Sequence, residues 1–394
     1  MFTVQLHRAH ATPVASGHPW VFAQAVHRVV GGKPQAGDEV LVVDPQDKPL
    51  GRGFWSPDSA IVVRLLTRQP EVPLDAAFFG KRVREALATR KQLDLPNADT
   101  TGYRLIHAEG DGLAGLIVDV YGDVLVAQFL TQGMARRRAE VVAALREALS
   151  PRAIVTAGGG AAQAREGITE ESQVLFGETP SVLRFKERGL SFEIPWGSAQ
   201  KTGYYFDQRE HRAEVERLAR GREVLDACSY VGGFSLAAGR GGAKSVHALD
   251  SSQAAVDQGA EFARALGFSQ VRFERADVRS ELERLRSEGA TYDLVIFDPP
   301  KLVPTAKHLE KGRRAYRKLN AHAISLVRPG GTLVTCSCSA AMNETEFLRM
   351  LAFASHDAGR ELCVLRVGRQ SPDHPLLPGF SEGSYLKTVF AIVR

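Results

Sequence analysis

The spacing of apolar and polar residues changes character twice along the chain. In residues 1–68, short runs rich in Val, Ile, Leu and aromatics alternate with Asp, Pro and Gly: GDEVLVVD (37–44), PLGRGFWS (49–56) and AIVVRLLT (60–67). Such runs predict strands joined by turns, in a small barrel or sandwich. RQPEVPLD (68–75), with two prolines, reads as a linker. Residues 76–185 mix two periods. AAFFGKRVREALATRKQL and ARRRAEVVAALREAL predict helices, and LAGLIVDVYGDVLVAQFL predicts a hairpin turning at Tyr121-Gly122-Asp123. The glycine-rich GGGAAQAREGITEES reads as a surface loop, and this section as α+β.

From residue 186 to 394 the alternation is regular. REVLDA, KSVHALD, VRFERAD, YDLVIFD and GTLVTCS predict strands, with helical stretches such as SQAAVDQGAEFARALG and GRRAYRKLNAHAISLV between them. Strand–helix alternation predicts an α/β domain with a parallel sheet covered on both faces. ELCVLRVG and YLKTVFAIV predict an antiparallel close.

In such sheets a ligand binds beyond the carboxyl ends of the strands, so the residues ending each strand carry the candidate chemistry. The first strand runs into Asp226-Ala-Cys-Ser-Tyr-Val-Gly-Gly-Phe, where Gly232 and Gly233 let backbone approach a ligand or simply make a tight turn. The second ends in Asp250, placed either for a ribose diol or as a helix N-cap, a task Ser251 or Ser252 can also perform. Asp277, after the third strand, fits an adenine amine or another cap. Together these suit an adenosine ligand; without GxxxxGK[ST], phosphate-loop chemistry is not expected.

The fourth strand ends in Asp298-Pro299-Pro300-Lys301, a carboxylate on a backbone stiffened by two prolines. That suits a planar, hydrogen-bonding base, or a plain strand stop. The fifth ends in Thr335-Cys336-Ser337-Cys338-Ser339. Alternation puts both thiols on one side. CxC is a poor zinc site and lacks the redox CxxC spacing, which leaves buried core thiols or a nucleophile. The small-residue turn SAAMNETEF frees Cys338 toward the strand-end crevice, beside Asp298.

Composition narrows the setting. Hydrophobic content of 44% and charged content of 24% are those of a globular protein, and no run of about 18 apolar residues predicts a membrane helix. The N-terminal MFTVQLHRAH lacks a signal-peptide core, and four cysteines in 394 residues predict a reducing cytoplasm. A net charge of +5 tilts mildly toward polyanions. Arg136-Arg137-Arg138 and Lys311-Gly-Arg-Arg314 either track phosphates or form solvated helix faces.

The C-terminal half resembles class I S-adenosylmethionine-dependent methyltransferases. More narrowly, the chain resembles the RlmI-type family of large-subunit (23S) ribosomal RNA 5-methylcytosine methyltransferases. The marks are HPWVFAQAV (18–26), GRGFWSPDSAIVVRLLT (51–67), EGDGLAGLIVDVYGD (109–123), QKTGYYFDQREHR (200–212), CSYVGGFSLAA (228–238), FDPPKL (297–302) and SCSAAM (337–342). This resemblance implies an RNA-binding β-barrel PUA domain over 1–68, a central α+β domain over 76–185 and a Rossmann-like domain with a mostly parallel seven-stranded sheet over 186–394. It implies that Cys338 is the nucleophile and Cys336 a passenger. It implies S-adenosylmethionine contacts from Asp226, Cys228, Tyr230, Gly232, Gly233 and Phe234 at the methionine end, from Asp250 and Asp277 on ribose and adenine, and from Pro299. Lys201, Tyr205 and Gln208 are expected to lie over the cofactor. It leaves a homodimer open.

The chemistry follows from the base. Cytosine C5 is too weak a nucleophile to take a methyl directly, and thiolate attack on C6 makes it enamine-like. The base must leave any stack to present its face. Two other readings stay open: a methyltransferase for another RNA base, and a non-catalytic RNA-binding assembly factor. An NAD-linked oxidoreductase lacks GxGxxG and gives no reason for Asp298-Pro-Pro-Lys.

Overall fold

The computed structural model describes residues 1–158, 163–164, 166–169, 172–198, 202–303 and 305–394. They form two compact units, Met1–Phe206 with Pro372–Gly383, and Asp207–Ser371 with Ser384–Arg394.

The first unit opens with a six-stranded sheet: β1 (Phe2–Leu6), β2 (Trp20–Phe22), β3 (Val26–Val30), β4 (Glu39–Val43), β5 (Pro49–Trp55) and β6 (Ile61–Thr67), with helix α1 (Arg8–Ala15) after β1. Its order is β2-β6-β5-β4-β1-β3, and only β1 and β4 run parallel. Val4, Leu6, Val21, Val40, Val42, Val63 and Leu65 fill its core. Phe54 and Leu66 instead join the core of the following section, so β5 and β6 serve both.

That section is a second sheet, β11-β10-β9-β8-β7, built from β7 (Gly102–His107), β8 (Leu116–Tyr121), β9 (Val124–Phe129), β10 (Ala153–Thr156) and β11 (Val174–Gly177). The β8–β9 hairpin turns at Gly122-Asp123; Tyr121, which the sequence reading included in the turn, closes β8 opposite Val124. Helix α2 (Ala76–Gln92) starts where the Asp75 carboxylate accepts from Phe78 N at 3.0 Å. The short α3 (Gln132–Arg136) leads into α4 (Arg138–Leu149), which lies against α2.

The sequence reading puts residues 186–206 with the last section. The structure puts them with the first unit. Strands β12 (Val182–Glu187) and β13 (Leu190–Pro195) make a hairpin whose turn, Arg188-Gly189, has positive φ at both residues. Its burial alternates strictly, and Phe185 stacks on Phe192 at 5.0 Å between ring centroids. Tyr121 and Phe206 close on Phe185 at 5.2 and 5.3 Å, which ties the hairpin to the second sheet.

The second unit is one seven-stranded sheet, β16-β15-β14-β17-β18-β20-β19. The strands are β14 (Glu223–Ala227), β15 (Ser245–Asp250), β16 (Val271–Arg275), β17 (Tyr292–Phe297), β18 (Val327–Ser337), β19 (Leu362–Gly368) and β20 (Lys387–Val393). Strands β14 to β18 are mutually parallel, and β20 inserts antiparallel between β18 and β19. The helices are α5 (Arg209–Leu218), α6 (Gly233–Arg240), α7 (Gln253–Ala265), α8 (Val278–Ser287), α9 (Leu309–Ser325) and α10 (Glu344–Asp357). Strand order reverses between β14 and β17, the switch point where such sheets open a crevice at their carboxyl edge. Asp226, Asp250, Asp298 and Cys338 all belong to that edge.

Candidate active site

Asp226 is fully buried at the end of β14. Its Oδ2 accepts from the Ser235 hydroxyl of α6 at 2.5 Å, and its Oδ1 has no partner among the described residues. Burial pushes its pKa up to about 7, and the carboxylates of Asp298 and Asp250 add to the rise. The chain then kinks sharply. Cys228, Tyr230 and Gly232 all have positive φ (67°, 52° and 87°), and two of the three are not glycine. The kink is held by Ser229 N to Leu249 O at 2.8 Å and by Tyr230 N to the Asp250 carboxylate at 2.8 Å. Ser229 Oγ is buried without a partner among the described residues. A Cβ on Gly232 would sit 2.3 Å from the Phe273 ring, so this turn requires glycine for space as well as for φ. Gly233 opens α6, and Phe234 is buried there with the Arg212 guanidinium over its ring.

The caps divide as follows. Ser252 caps α7 through Ala255 N, so Asp250 is not the cap; its Oδ1 accepts from Ser252 N at 2.9 Å and its Oδ2 from Tyr230 N. Asp277 does cap α8, its Oδ1 accepting from Arg279 N and Ser280 N, and those backbone bonds hold its carboxyl below the usual range. These bonds leave Oδ2 of Asp277 on an exposed edge.

Asp298 follows β17 directly. Burial of its carboxyl and the Asp207 charge push its pKa up to about 6, against the pull of Gln208, Arg212 and the Cys336 thiol. Gln208 Nε2 donates to Asp298 Oδ2 at 3.0 Å. Gln208 Oε1 lies 2.6 Å from His211 Nδ1 and also accepts from the Thr388 hydroxyl at 3.4 Å. Oε1 can only accept, so His211 carries its proton on Nδ1. Burial lowers the His211 pKa to about 4, which keeps the ring neutral. Asp298 is thus oriented by a chain that runs back to α5. Pro299 behind it is buried.

The two thiols of β18 part company. Cys336 is fully buried between Asp298 and Thr388, its Sγ 3.4 Å from the Thr388 hydroxyl. Burial, then the Asp298 charge, push this thiol well above its ordinary value. Cys338 lies one residue beyond the end of the ladder and is half-buried. Ser339 pins the turn that carries it: its Oγ accepts from Val303 N at 3.2 Å and lies 3.3 Å from the Tyr316 hydroxyl, and its carbonyl accepts from Met342 N and from Lys387 Nζ.

Of the residues expected over the cofactor, Gln208 joins Asp298, Tyr205 is half-buried in the first unit, and Lys201 lies outside the described residues. His211, Ser235, Ser339 and Lys387 were not singled out by sequence reasoning. Only Lys387 carried a signal: a lysine opening an otherwise apolar strand.

An oriented carboxylate and a half-buried thiol at the carboxyl edge of a Rossmann-like sheet are groups suited to group transfer. The sequence profile of the S-adenosylmethionine-dependent methyltransferases matches residues 103–387, and that of PUA-like domains matches residues 4–68. The chain belongs to the family of the proteins named Ribosomal RNA large subunit methyltransferase I, within the S-adenosylmethionine-dependent methyltransferases. It is 39% identical to the protein of that name from Shewanella denitrificans over 95% of both chains, and 40% identical to that from Erwinia tasmaniensis over 94% of both. Its fold matches a SAM-dependent methyltransferase candidate from Streptococcus mutans with a TM-score of 0.85, at 22% identity and over 100% of both chains. A methyltransferase chain solved in complex with SAH matches equally well, at 21% identity.

The cofactor is therefore S-adenosylmethionine. The residues fit it: Asp226 Oδ1 and Ser229 Oγ are orphaned polar atoms at the switch point, where a ligand bringing its own hydrogen-bonding groups would satisfy them.

Proposed function

We propose that this chain methylates C5 of a cytosine in large-subunit ribosomal RNA through a covalent bond from Cys338 to C6 of the base. The RNA class rests on the names of its relatives. The observation that carries the chemistry is the contrast at the end of β18: Cys336 is sealed, while Cys338 is half-exposed, one residue past the end of a strand paired with β17, which Asp298 follows.

S-adenosylmethionine, when bound, would supply an electrophilic methyl group, the pair of the broken S–CH3 bond staying on sulfur in S-adenosylhomocysteine. Asp226 and the turn Cys228–Phe234 hold its amino-acid end, Asp250 its ribose and Asp277 its adenine. Cys338 thiolate adds its electron pair to C6, and the C5–C6 π pair becomes the nucleophile at C5. After C5 gains the methyl group, a base takes the C5 proton, that C–H pair re-forms the double bond, and Cys338 leaves as thiolate. Asp298 holds the N3/N4 edge. With a pKa of about 6 it is mostly ionised at neutral pH, accepting from N4, and keeps a protonated fraction able to donate to N3.

RNA containing 5-fluorocytosine tests this directly, because fluorine blocks the final proton loss. Wild type and Cys336→Ala are expected to form a covalent RNA adduct that survives denaturing gels, and Cys338→Ala none. Full turnover by Cys338→Ala sinks the covalent route. Nucleoside mass spectrometry of the product identifies the base.

A further inference from the structure

Lys387 opens β20 and is 2% exposed. Its Nζ donates to the Ser339 carbonyl at 2.7 Å and to the Tyr385 carbonyl at 2.8 Å. Both partners are neutral, and among the described residues no carboxylate forms an ion pair with it. A buried ammonium without an anion is costly, and proteins that retain one usually supply the missing charge nearby. Here the charge that most favours the ammonium is that of Cys338, whose neighbour Ser339 Lys387 already holds.

The surrounding charges are few. The exposed Lys301 opposes the Lys387 ammonium and Glu344 favours it. On the other side, Cys338 acts on the Tyr316 hydroxyl and on the sealed Cys336 thiol, which in turn borders Asp298. Asp298 therefore disfavours an anion in this part of the edge, and the Lys387 ammonium is placed to offset it.

We propose that Lys387 is the counter-ion of the Cys338 thiolate, a positioning residue that fixes the Cys338–Ser339 turn through the Ser339 carbonyl and stabilises the ionised thiol before RNA binds. The proposal rests on reading Cys338 as the nucleophile. It assigns a task to a buried charge that the methyl-transfer scheme otherwise leaves unused. The dependence on pH has a definite sign. Burial lowers the Lys387 pKa to about 8, so the ammonium supports the thiolate below that pH and the support is lost as pH rises through it.

The test is alkylation of the full-length wild-type chain with iodoacetamide, the rate at the Cys338 peptide being followed by mass spectrometry across pH. The wild-type inflection is expected below the ordinary thiol value of about 8.5. Lys387→Met should raise it by about one unit, slowing alkylation near neutral pH about tenfold, and Lys387→Arg should restore much of the shift. Melting curves check that the variants fold. Should Lys387→Met not fold, the wild-type titration decides alone: an inflection at or above the ordinary value overturns the proposal, as does a folded Lys387→Met protein without a shift. Failures of the two readings are separable. A 5-fluorocytosine adduct with an unshifted thiol removes the counter-ion and leaves the nucleophile. A shifted thiol with no adduct removes the covalent route and leaves the ion pair.

Discussion

Cys336 and Cys338 have the same side chain and nearly the same neighbours in sequence, yet they occupy opposite chemical situations. The ladder between β18 and β20 runs through Ser337 and stops there. Cys336, inside it, is walled in by Thr388 and Asp298; Cys338, outside it, keeps access to solvent. A thiol held neutral by burial is inert. Gly232 shows the same dependence on immediate surroundings. Gly232→Ala combines a left-handed φ of 87° with a Cβ 2.3 Å from Phe273. We expect it to cost about 2–4 kcal/mol in urea denaturation. Gly221→Ala, at φ 69° with open space around it, should cost only about 1–2 kcal/mol. Equal losses would mean that Phe273 moves aside.

At the scale of elements, the strand-end turn after β14 combines a neutral-leaning carboxyl with a strained backbone. Asp226 has a folded pKa of about 7, above an unfolded value near 3.9, so the folded state binds the extra proton. Its contribution to stability is therefore fully present below about pH 4 and is lost as pH rises to about 7. In chemical denaturation without cofactor, Asp226→Asn should gain stability relative to wild type as pH rises through that window. A difference constant with pH would refute the raised pKa. Much of this edge was legible beforehand, because alternating strands and helices dictate which residues stand at carboxyl ends. The hairpin of β12 and β13 was not read, although its burial alternates strictly, because Lys186-Glu187-Arg188 breaks the apolar–polar alternation of LRFKERGLSFEIP. Its turn residues, Arg188-Gly189, are not a strong hairpin pair, and its apolar face finds a partner only in Tyr121 and Phe206, distant in sequence. The role of Ser339 was equally hidden, since it depends on Val303, Tyr316 and Lys387 converging on one residue.

For the whole molecule, sequence texture located the sheets but not the partners of the basic runs. In the run Arg136-Arg137-Arg138, Arg136 is exposed while Arg137 and Arg138 are half-buried. Arg136 pairs with Asp38 at 3.0 Å, and the guanidiniums of Arg137 and Arg138 lie over Phe54 and Phe129. Arg137→Glu and Arg138→Glu should lower the melting temperature. Lys311 and Arg314 on α9 are exposed. Replacing both with Glu should weaken RNA binding and flatten the slope of log affinity against log salt by about 1–2, without a change in melting temperature. An unchanged slope would exclude them from the RNA footprint.

The backbone crosses between the two units three times, after Phe206, after Ser371 and after Gly383. The excursion 372–383 is anchored within the first unit: the Asp373 carbonyl accepts from buried Arg90, its carboxylate accepts from Arg104 N, and Phe380 packs on Trp20 at 4.6 Å. One proteolytic nick near residue 206 would therefore leave residues 1–206 held to the excursion by packing alone, while the excursion stays joined at both ends to the second unit. Expressing 207–394 by itself would strip a carboxylate and a phenylalanine of the surroundings that bury them, so dissecting this enzyme into its pieces calls for replacing the excursion with a short linker as well as cutting the chain.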